Sequence, residues 1–197
     1  MVGVKAEMNN IYLATEDKKL HQLVQKIMAR NGYQITERAA SAVQVVRDVR
    51  QRRFQLAIMD YSLPGFSALD MINIMEIEDI PVVLLVNGWQ TNFSELTKAG
   101  QVNSIVVKPI TENNLIPVVE SVLAVAHKIK LLKSEIDTLK MKMEARKTVE
   151  KAKGILMKTL SISEDEAFKK IQKQSMNQSM SMKAVAEAII NSYQLFK

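Results

Sequence analysis

The residues best equipped for binding chemistry are cations near the end of the chain. Lys151 and Lys158 lie seven positions apart, so they share one side of a predicted helix. Together with three neighbouring cations they form a set that we call the cationic strip: Arg146, Lys147, Lys151, Lys153 and Lys158. Residues 127–197 contain 15 Lys and Arg against 8 Asp and Glu, whereas residues 1–126 contain 12 against 13. This charge favours a polyanionic partner for the C-terminal third, with a solvated helical face as the alternative.

Polar residues at the ends of predicted strands form a second group. Asp60 and Lys108 each follow a short apolar run, and Glu16 and Asp17 follow an earlier one. The carboxyl ends of parallel strands meet in one crevice, so we expect these side chains to lie near each other. An ion pair there would either hold the crevice together or serve a signalling role.

The elements that must position these residues alternate along the first half of the chain. Apolar runs typical of strands buried on both faces occur at 11–14, 34–36, 56–59, 82–86 and 105–107. Stripes of helical period separate them, and their apolar residues are Leu20, Leu23, Val24, Ile27 and Met28, then Val43, Val46 and Val49, then Leu69, Ile72 and Met75, then Phe93 and Leu96. The pattern predicts an α/β lobe with a doubly wound parallel sheet of five strands.

An apolar seam follows this lobe, with gaps that alternate between three and four residues. Its positions are Leu115, Val118, Val122, Val125, Ile129, Leu132, Ile136, Leu139 and Met143. A stripe this narrow predicts a parallel coiled-coil dimer, with packing onto the chain's own C-terminal lobe as the alternative. Thr111 is predicted to cap the helix, and Pro117 requires that the helix start near Asn114 or bend there.

Beyond the seam the sequence predicts a small all-α bundle. The heptad spacing of apolar residues ends after Met143, and from there the apolar residues lie on a different side of the predicted helix. Ser163 and Glu166 form a capping box that opens a second helix, and Ser181 is a cap for a third. The polar stretch 177–179 is the expected break between these two helices. Three helices, each apolar on one side, can bury a common core.

The N-terminal lobe resembles the receiver domain of the response regulators of bacterial two-component systems. The likeness rests on Met59-Asp60, Leu63-Pro64-Gly65 and Lys108-Pro109. It implies a flavodoxin-like domain over residues 9–125, in which Asp60 is the candidate phosphoacceptor and Lys108 grips the phosphoryl oxygens. The resemblance also implies weak candidate ligands for Mg²⁺, namely Glu16, Asp17 and Asp60.

Three positions depart from the receiver pattern. Thr15 stands where the family has the first of two acidic residues, Val86 replaces a hydroxyl residue, and Ile105 replaces an aromatic one. Each loss weakens metal binding or the phosphorylated state. We therefore predict a degenerate receiver whose input is either phosphorylation or the docking of a regulatory protein, such as a sensor kinase or a negative regulator.

The C-terminal bundle resembles the ANTAR domain, an RNA-binding module of transcription antiterminators. The matching blocks, in order, are 150–157, 161–168, 174–176 and 185–189. The resemblance implies an ANTAR domain over 148–195, preceded by a coiled-coil dimerisation helix over 115–147. It also implies binding to paired RNA hairpins in a transcript leader, which prevents formation of an overlapping terminator.

The residues of the bundle permit such binding. Polar side chains between helices can read unstacked bases, so the candidates besides the cationic strip are Gly154, Ser175, Asn177, Gln178 and Lys183. Gly154 would allow close approach of the RNA backbone, or it would serve tight helix packing. Two other classes remain open, namely a DNA-binding response regulator with Lys183 early in its last helix, and a protein-interaction module.

Composition excludes several classes of site. The chain has no cysteine and two histidines, so a disulfide framework, a thiolate metal site and a histidine-rich metal cluster are excluded. No apolar run has the roughly 18 residues of a membrane span, and we expect a cytoplasmic protein. No nucleophile, base and orienting group assemble into a catalytic set, so we do not expect an enzyme, and Mg²⁺ is the one cofactor that the sequence suggests.

Overall fold

A computed structural model of the chain describes residues 10–65, 67–88 and 104–195. The chain divides into two compact units, Met1–Ile129 and Lys130–Lys197. One long helix contributes residues to both units. Each unit is described by itself below.

The first unit is built on a parallel sheet of five strands. They are β1 (Ile11–Ala14), β2 (Ile35–Ala39), β3 (Leu56–Asp60), β4 (Val82–Asn87) and β5 (Ser104–Lys108). The spatial order β2-β1-β3-β4-β5 is that of flavodoxin-like folds, which confirms the predicted class. β2 extends three residues further than predicted. It lies at the edge of the sheet and continues through polar residues, which do not form the apolar run used to predict buried strands.

Among the described residues, three short helices and the start of a long one cover the sheet. They are α1 (Lys18–Arg30), α2 (Ala42–Gln51), α3 (Ala68–Ile77) and α4 (Glu112–Leu160). α1 and the start of α4 contribute to one apolar core, and α2 and α3 contribute to another. The predicted stripes are partly wrong, since Leu23, Val43 and Leu69 are exposed, while Val45 and Met71 are buried. Phe93 and Leu96 lie outside the described residues.

The start of α4 is capped as predicted. The Asn114 backbone N–H donates to Thr111 Oγ1 at 3.3 Å, and the Thr111 N–H donates to Asn114 Oδ1 at 2.8 Å. The helix nevertheless begins at Glu112, two residues before the predicted start, and Pro117 lies inside it. The cap satisfies backbone groups of the first turn, and the residues around Pro117 are held by burial in the lobe's core.

The second unit contains the remainder of α4 with α5 (Glu164–Gln178) and α6 (Met182–Leu195). The capping box of Ser163 and Glu166 is present, and Ser181 Oγ accepts from the Ala184 N–H. The buried core of the bundle is small and consists of Ala152, Ile171, Val185 and Ala186, with partly buried apolar side chains around it. A bundle with so little buried volume depends on caps and ion pairs as well as on its core.

Candidate nucleic-acid interface and receiver pocket

Asp60 and Lys108 meet at the carboxyl edge of the sheet, as predicted. β3 ends at Asp60 and β5 ends at Lys108, and the ammonium donates to both carboxylate oxygens at 2.8 and 2.9 Å. Asp60 is only 7% exposed. Burial strengthens this charge-assisted pair because little water competes for either group.

Two further donors complete the surroundings of the Asp60 carboxylate. The Thr15 hydroxyl donates to Oδ2 at 3.2 Å, and the Ser62 backbone N–H donates to Oδ1 at 3.1 Å. Each oxygen therefore accepts two hydrogen bonds from groups of the protein itself. Thr15, at the place of a receiver carboxylate, acts as a donor to Asp60 instead of as a metal ligand.

The side chains near Asp60 do not fit the Mg²⁺ site that the sequence suggested. Asp17 caps α1, where its Oδ1 accepts from the Lys19 and Leu20 N–H groups, and Glu16 is exposed. Across residues 10–65, 67–88 and 104–195, no three acidic or histidine side chains cluster as a metal site would require. Val86 is fully buried and offers no hydrogen bond to a phosphoryl group.

The seam divides into two parts that differ in burial. Leu115 and Val122 are buried in the core of the N-terminal lobe, and Val118 packs against it. These residues belong to the lobe, and the predicted seam is wrong in assigning them to a partner helix. The remaining positions are 45% to 60% exposed, namely Val125, Ile129, Leu132, Ile136, Leu139 and Met143.

Four members of the cationic strip lie on the surface of the bundle. Arg146, Lys151 and Lys158 are exposed, and Lys147 forms a surface ion pair with Glu144 at 3.5 Å. Surface pairs of this kind contribute little to stability. These four cations remain accessible to an anionic ligand.

Lys153, the fifth member of the strip, has a different position. It is 7% exposed, and its ammonium donates to Glu150 at 2.9 Å and to Glu164 at 2.6 Å. The bond to Glu164 and then that to Glu150 raise the pKa of Lys153, and the same ammonium lowers the pKa of Glu164. Lys153 also lies 6.0 Å from the centre of the Phe168 ring. The charge of Lys153 therefore joins α4 to the start of α5, and this ammonium is less accessible to RNA than the other four cations.

A polar groove borders the contact between α4 and α6. It has a volume of about 460 Å³ and is lined by Lys147, Thr148, Lys151, Glu187, Ile190 and Asn191. We call this the polar groove. Lys183 lies 3.7 Å from Glu187 and partly neutralises the one carboxylate in the lining. Sequence reasoning missed both Thr148 and Asn191. Thr148 is next to Lys147 in the same helix and could have been found from the sequence, whereas only the packing of α6 on α4 brings Asn191 beside the two lysines.

The predicted base-reading residues do not lie in a loop. α5 continues to Gln178, so Ser175, Asn177 and Gln178 belong to its last turns, and the break is confined to 179–181. The Ser175 hydroxyl donates to the Met180 carbonyl and closes this turn. Ser179 adopts a left-handed conformation with φ of 52°, which ends the helix two residues later than expected.

Gly154 lies in α4 with no neighbouring atom within 4 Å of the position that a Cβ would take. Tight packing against another helix does not explain this glycine. α5 presents three further exposed lysines that sequence reasoning passed over, Lys169, Lys170 and Lys173. Their net charge was visible in the sequence, but their relation to α4 was not.

Comparisons with known proteins identify both units. The model of the response regulator receiver domain matches residues 11–120, and that of the ANTAR domain matches residues 137–190. The transcriptional regulatory protein PdtaR of Mycobacterium tuberculosis is 30% identical over 90% of this chain and 88% of its own length. The nitrate regulatory protein of Klebsiella oxytoca is 32% identical over 33% of this chain and 16% of its own.

A solved structure supports the fold of the first unit. The signal receiver domain of an HD domain-containing protein from Pseudomonas fluorescens Pf-5 superposes with a TM-score of 0.56 at 18% identity. The match covers 62% of this chain and 92% of the other. Within the described part of the chain, the helices include none that is long and apolar enough to cross a bilayer. The receiver fold, the long helix and the two matching domain models together show that this chain belongs to the response regulators that join a receiver domain to an ANTAR domain.

Proposed function

We propose that the protein is an RNA-binding transcription antitermination regulator that binds paired hairpins in a transcript leader and prevents terminator formation. The observation that carries the proposal is the exposure of Lys147 and Lys151 in one groove of the ANTAR bundle. These lysines would neutralise phosphates of a folded RNA and release the counterions that are condensed on it. Thr148 and Asn191 in the same groove offer donors and acceptors for sugar hydroxyls or base edges.

The protein is proposed to act as a dimer. Six seam positions from Val125 to Met143 are exposed in the single chain, and their heptad spacing suits a partner helix of the same sequence. A parallel pair of helices would carry two bundles, so binding of one hairpin raises the effective concentration of the second.

The input is proposed to be a docked protein rather than a phosphoryl group. Asp60 already accepts four hydrogen bonds from Thr15, Ser62 and Lys108, and the hydroxyl that would hold a phosphoryl oxygen is replaced by Val86. A sensor kinase or a negative regulator could still use the lobe as a docking surface without phosphoryl transfer.

RNA binding is tested with full-length protein and a pool of stem-loop RNAs with randomised loops. We expect members of this pool to bind more tightly than duplex DNA or unstructured RNA of equal length. Replacing Lys147 and Lys151 by Ala should weaken binding to all hairpins and reduce the salt slope by roughly one for each phosphate that is no longer neutralised.

The matched control replaces Lys140 and Lys142, which are exposed on the coiled-coil segment, and it removes the same charge. This control should bind RNA nearly as well as the wild type. Equal reductions of affinity in the two double variants would show that net charge, and not the groove, determines binding. Preference for duplex DNA would select the DNA-binding alternative.

Phosphoryl transfer is tested by incubation with a small phosphoryl donor and Mg²⁺, followed by intact-mass measurement. We expect no added phosphoryl mass in the wild type, matching Asp60→Asn. An added mass that disappears in Asp60→Asn would refute the proposed input.

A further inference from the structure

A second groove lies on the bundle between the end of α4, the end of α5 and α6. Its volume is about 780 Å³, within the range of sites that hold small molecules. We call it the apolar groove. Leu160 and Met180 are close to half exposed, and Tyr193 is 37% exposed. The aromatic ring of Tyr193 is therefore accessible to a flat ligand.

Polar groups without charge are distributed among these apolar walls. Gln174 and Gln178 come from α5, Thr159 comes from α4, and Ser192 comes from α6. Amides and hydroxyls both donate and accept hydrogen bonds, which is what the mixed edges of a nucleobase require. None of the described residues lining this groove carries a charge.

Two exposed lysines lie on the helices that line the apolar groove. Lys158 directly precedes the lining residue Thr159, and Lys173 directly precedes Gln174. An uncharged aromatic cavity on helices that also carry exposed cations complements a nucleotide, whose base is apolar and flat and whose phosphate is anionic.

We propose that the apolar groove binds an unstacked base of an RNA loop, with Tyr193 as the stacking surface and the two glutamines at the base edge. This inference rests on the proposed function and assigns it a specificity site distinct from the phosphate contacts of the polar groove. A protein helix is the less suitable occupant, since its apolar face would offer no anionic partner to Lys158 and Lys173.

The experiment uses full-length protein and the stem-loop that binds most tightly among those recovered from the pool with randomised loops. Each loop nucleotide is replaced in turn by an abasic one, and affinities are measured for wild type, Tyr193→Leu and Tyr193→Phe. We expect one abasic position to lower wild-type affinity roughly tenfold. Tyr193→Leu should lower affinity for the intact loop by a similar factor, and Tyr193→Phe should retain it because the ring remains.

A double-mutant cycle decides whether the ring and the base interact. The abasic loop should bind Tyr193→Leu no more weakly than it binds the wild type. If the abasic loop and Tyr193→Leu together lower affinity by the product of their separate factors, the ring and the base do not interact and the proposal is overturned. A Tyr193→Phe variant that binds as weakly as Tyr193→Leu would also overturn it. Unchanged RNA affinity with an altered sedimentation mass would also overturn it and assign the groove to contacts between copies.

Phe168→Leu is the matched control, because Phe168 is a 40% exposed aromatic residue of the same bundle outside the apolar groove. It should bind the intact loop like the wild type, and circular dichroism confirms that each variant is folded. Failure of the wild type to bind any stem-loop would overturn the proposed function and this inference together. Wild-type binding without coupling at Tyr193 would overturn the inference alone.

Discussion

Replacing Gly154 by alanine should strengthen the bundle while weakening RNA binding. Gly154 lies inside α4 between Lys151 and Lys158, at spacings of three and four residues, so all three share one face of the helix. A methyl group would meet no other atom within 4 Å. The substitution therefore tests whether this bare stretch of helix is kept open for a ligand.

The two effects have opposite signs and measurable sizes. Alanine is favoured over glycine in a helix interior by about 1 kcal/mol, and the free position of the methyl group adds no clash. For a unit the size of this bundle, that gain raises the melting temperature by roughly 4–8 °C. If RNA contacts the backbone at Gly154, an inserted methyl group costs about 1–3 kcal/mol of binding, or roughly 5- to 150-fold in Kd.

Thermal unfolding followed by circular dichroism and hairpin affinity at fixed salt are the two assays. Thr138→Ala is the control, since Thr138 is exposed in α4, precedes the cationic strip, lines neither groove and also gains helix propensity. It should be stabilised while RNA binding is retained. A Gly154→Ala variant that is stabilised and binds normally would refute a backbone contact, and one that is destabilised would refute the open position assigned to the methyl group.

Three further predictions concern ion pairs, pH and assembly. Lys153→Met should lower the melting temperature of the bundle, because it leaves the carboxylates of Glu150 and Glu164 unpaired. Lys151→Ala should preserve the melting temperature and weaken RNA binding. Equal melting temperatures for the two variants would contradict the structural role of Lys153. The hydrogen bond from Lys153 lowers the pKa of Glu164, and the hydrogen bonds from Ser163 in the capping box lower the pKa of Glu166. Both carboxylates therefore stabilise the folded bundle above the carboxyl pKa of the unfolded chain. This stabilisation is lost as the pH falls through the pKa of the folded state. Stability should therefore decline below about pH 5, and Glu164→Gln with Glu166→Gln should flatten the decline in acid unfolding curves; an unchanged slope would exclude these carboxylates as its source. Ile136→Asp should halve the mass found by sedimentation equilibrium, because a charge would enter the heptad seam, and a retained dimer mass would locate the contact elsewhere.

Local features were predictable wherever neighbouring residues alone decide them. The capping box at Ser163 and the cap at Ser181 follow from side chains that bond to backbone groups three residues away. The parallel five-stranded sheet could also be inferred, because buried apolar runs that alternate with helices are typical of doubly wound folds, whereas the strand order came from the structure. The stripe of α2 was partly wrong, since Val43 and Val45 are equally apolar and only the sheet decides which one is buried.

The degenerate pocket shows a similar division. Thr15 and Val86 could be recognised as departures from the receiver pattern, but their sequence positions did not reveal that Thr15 would donate to Asp60. That hydrogen bond depends on the distance between β1 and β3, which pair in parallel register. The complete set of hydrogen bonds to the Asp60 carboxylate is therefore a property of the folded sheet.

The sequence by itself determined the element order, the heptad seam, the concentration of positive charge and the domain family, because periodicity, composition and motif spacing are written along the chain. Tertiary structure decided which residues those elements expose. Lys151 and Lys153 differ by two positions, or about 200° around a helix, and only the packing of α5 makes one an internal ion-pair partner and leaves the other exposed. Helix packing also creates the two grooves, since α4 and α6 together line the polar groove, and α4, α5 and α6 line the apolar groove.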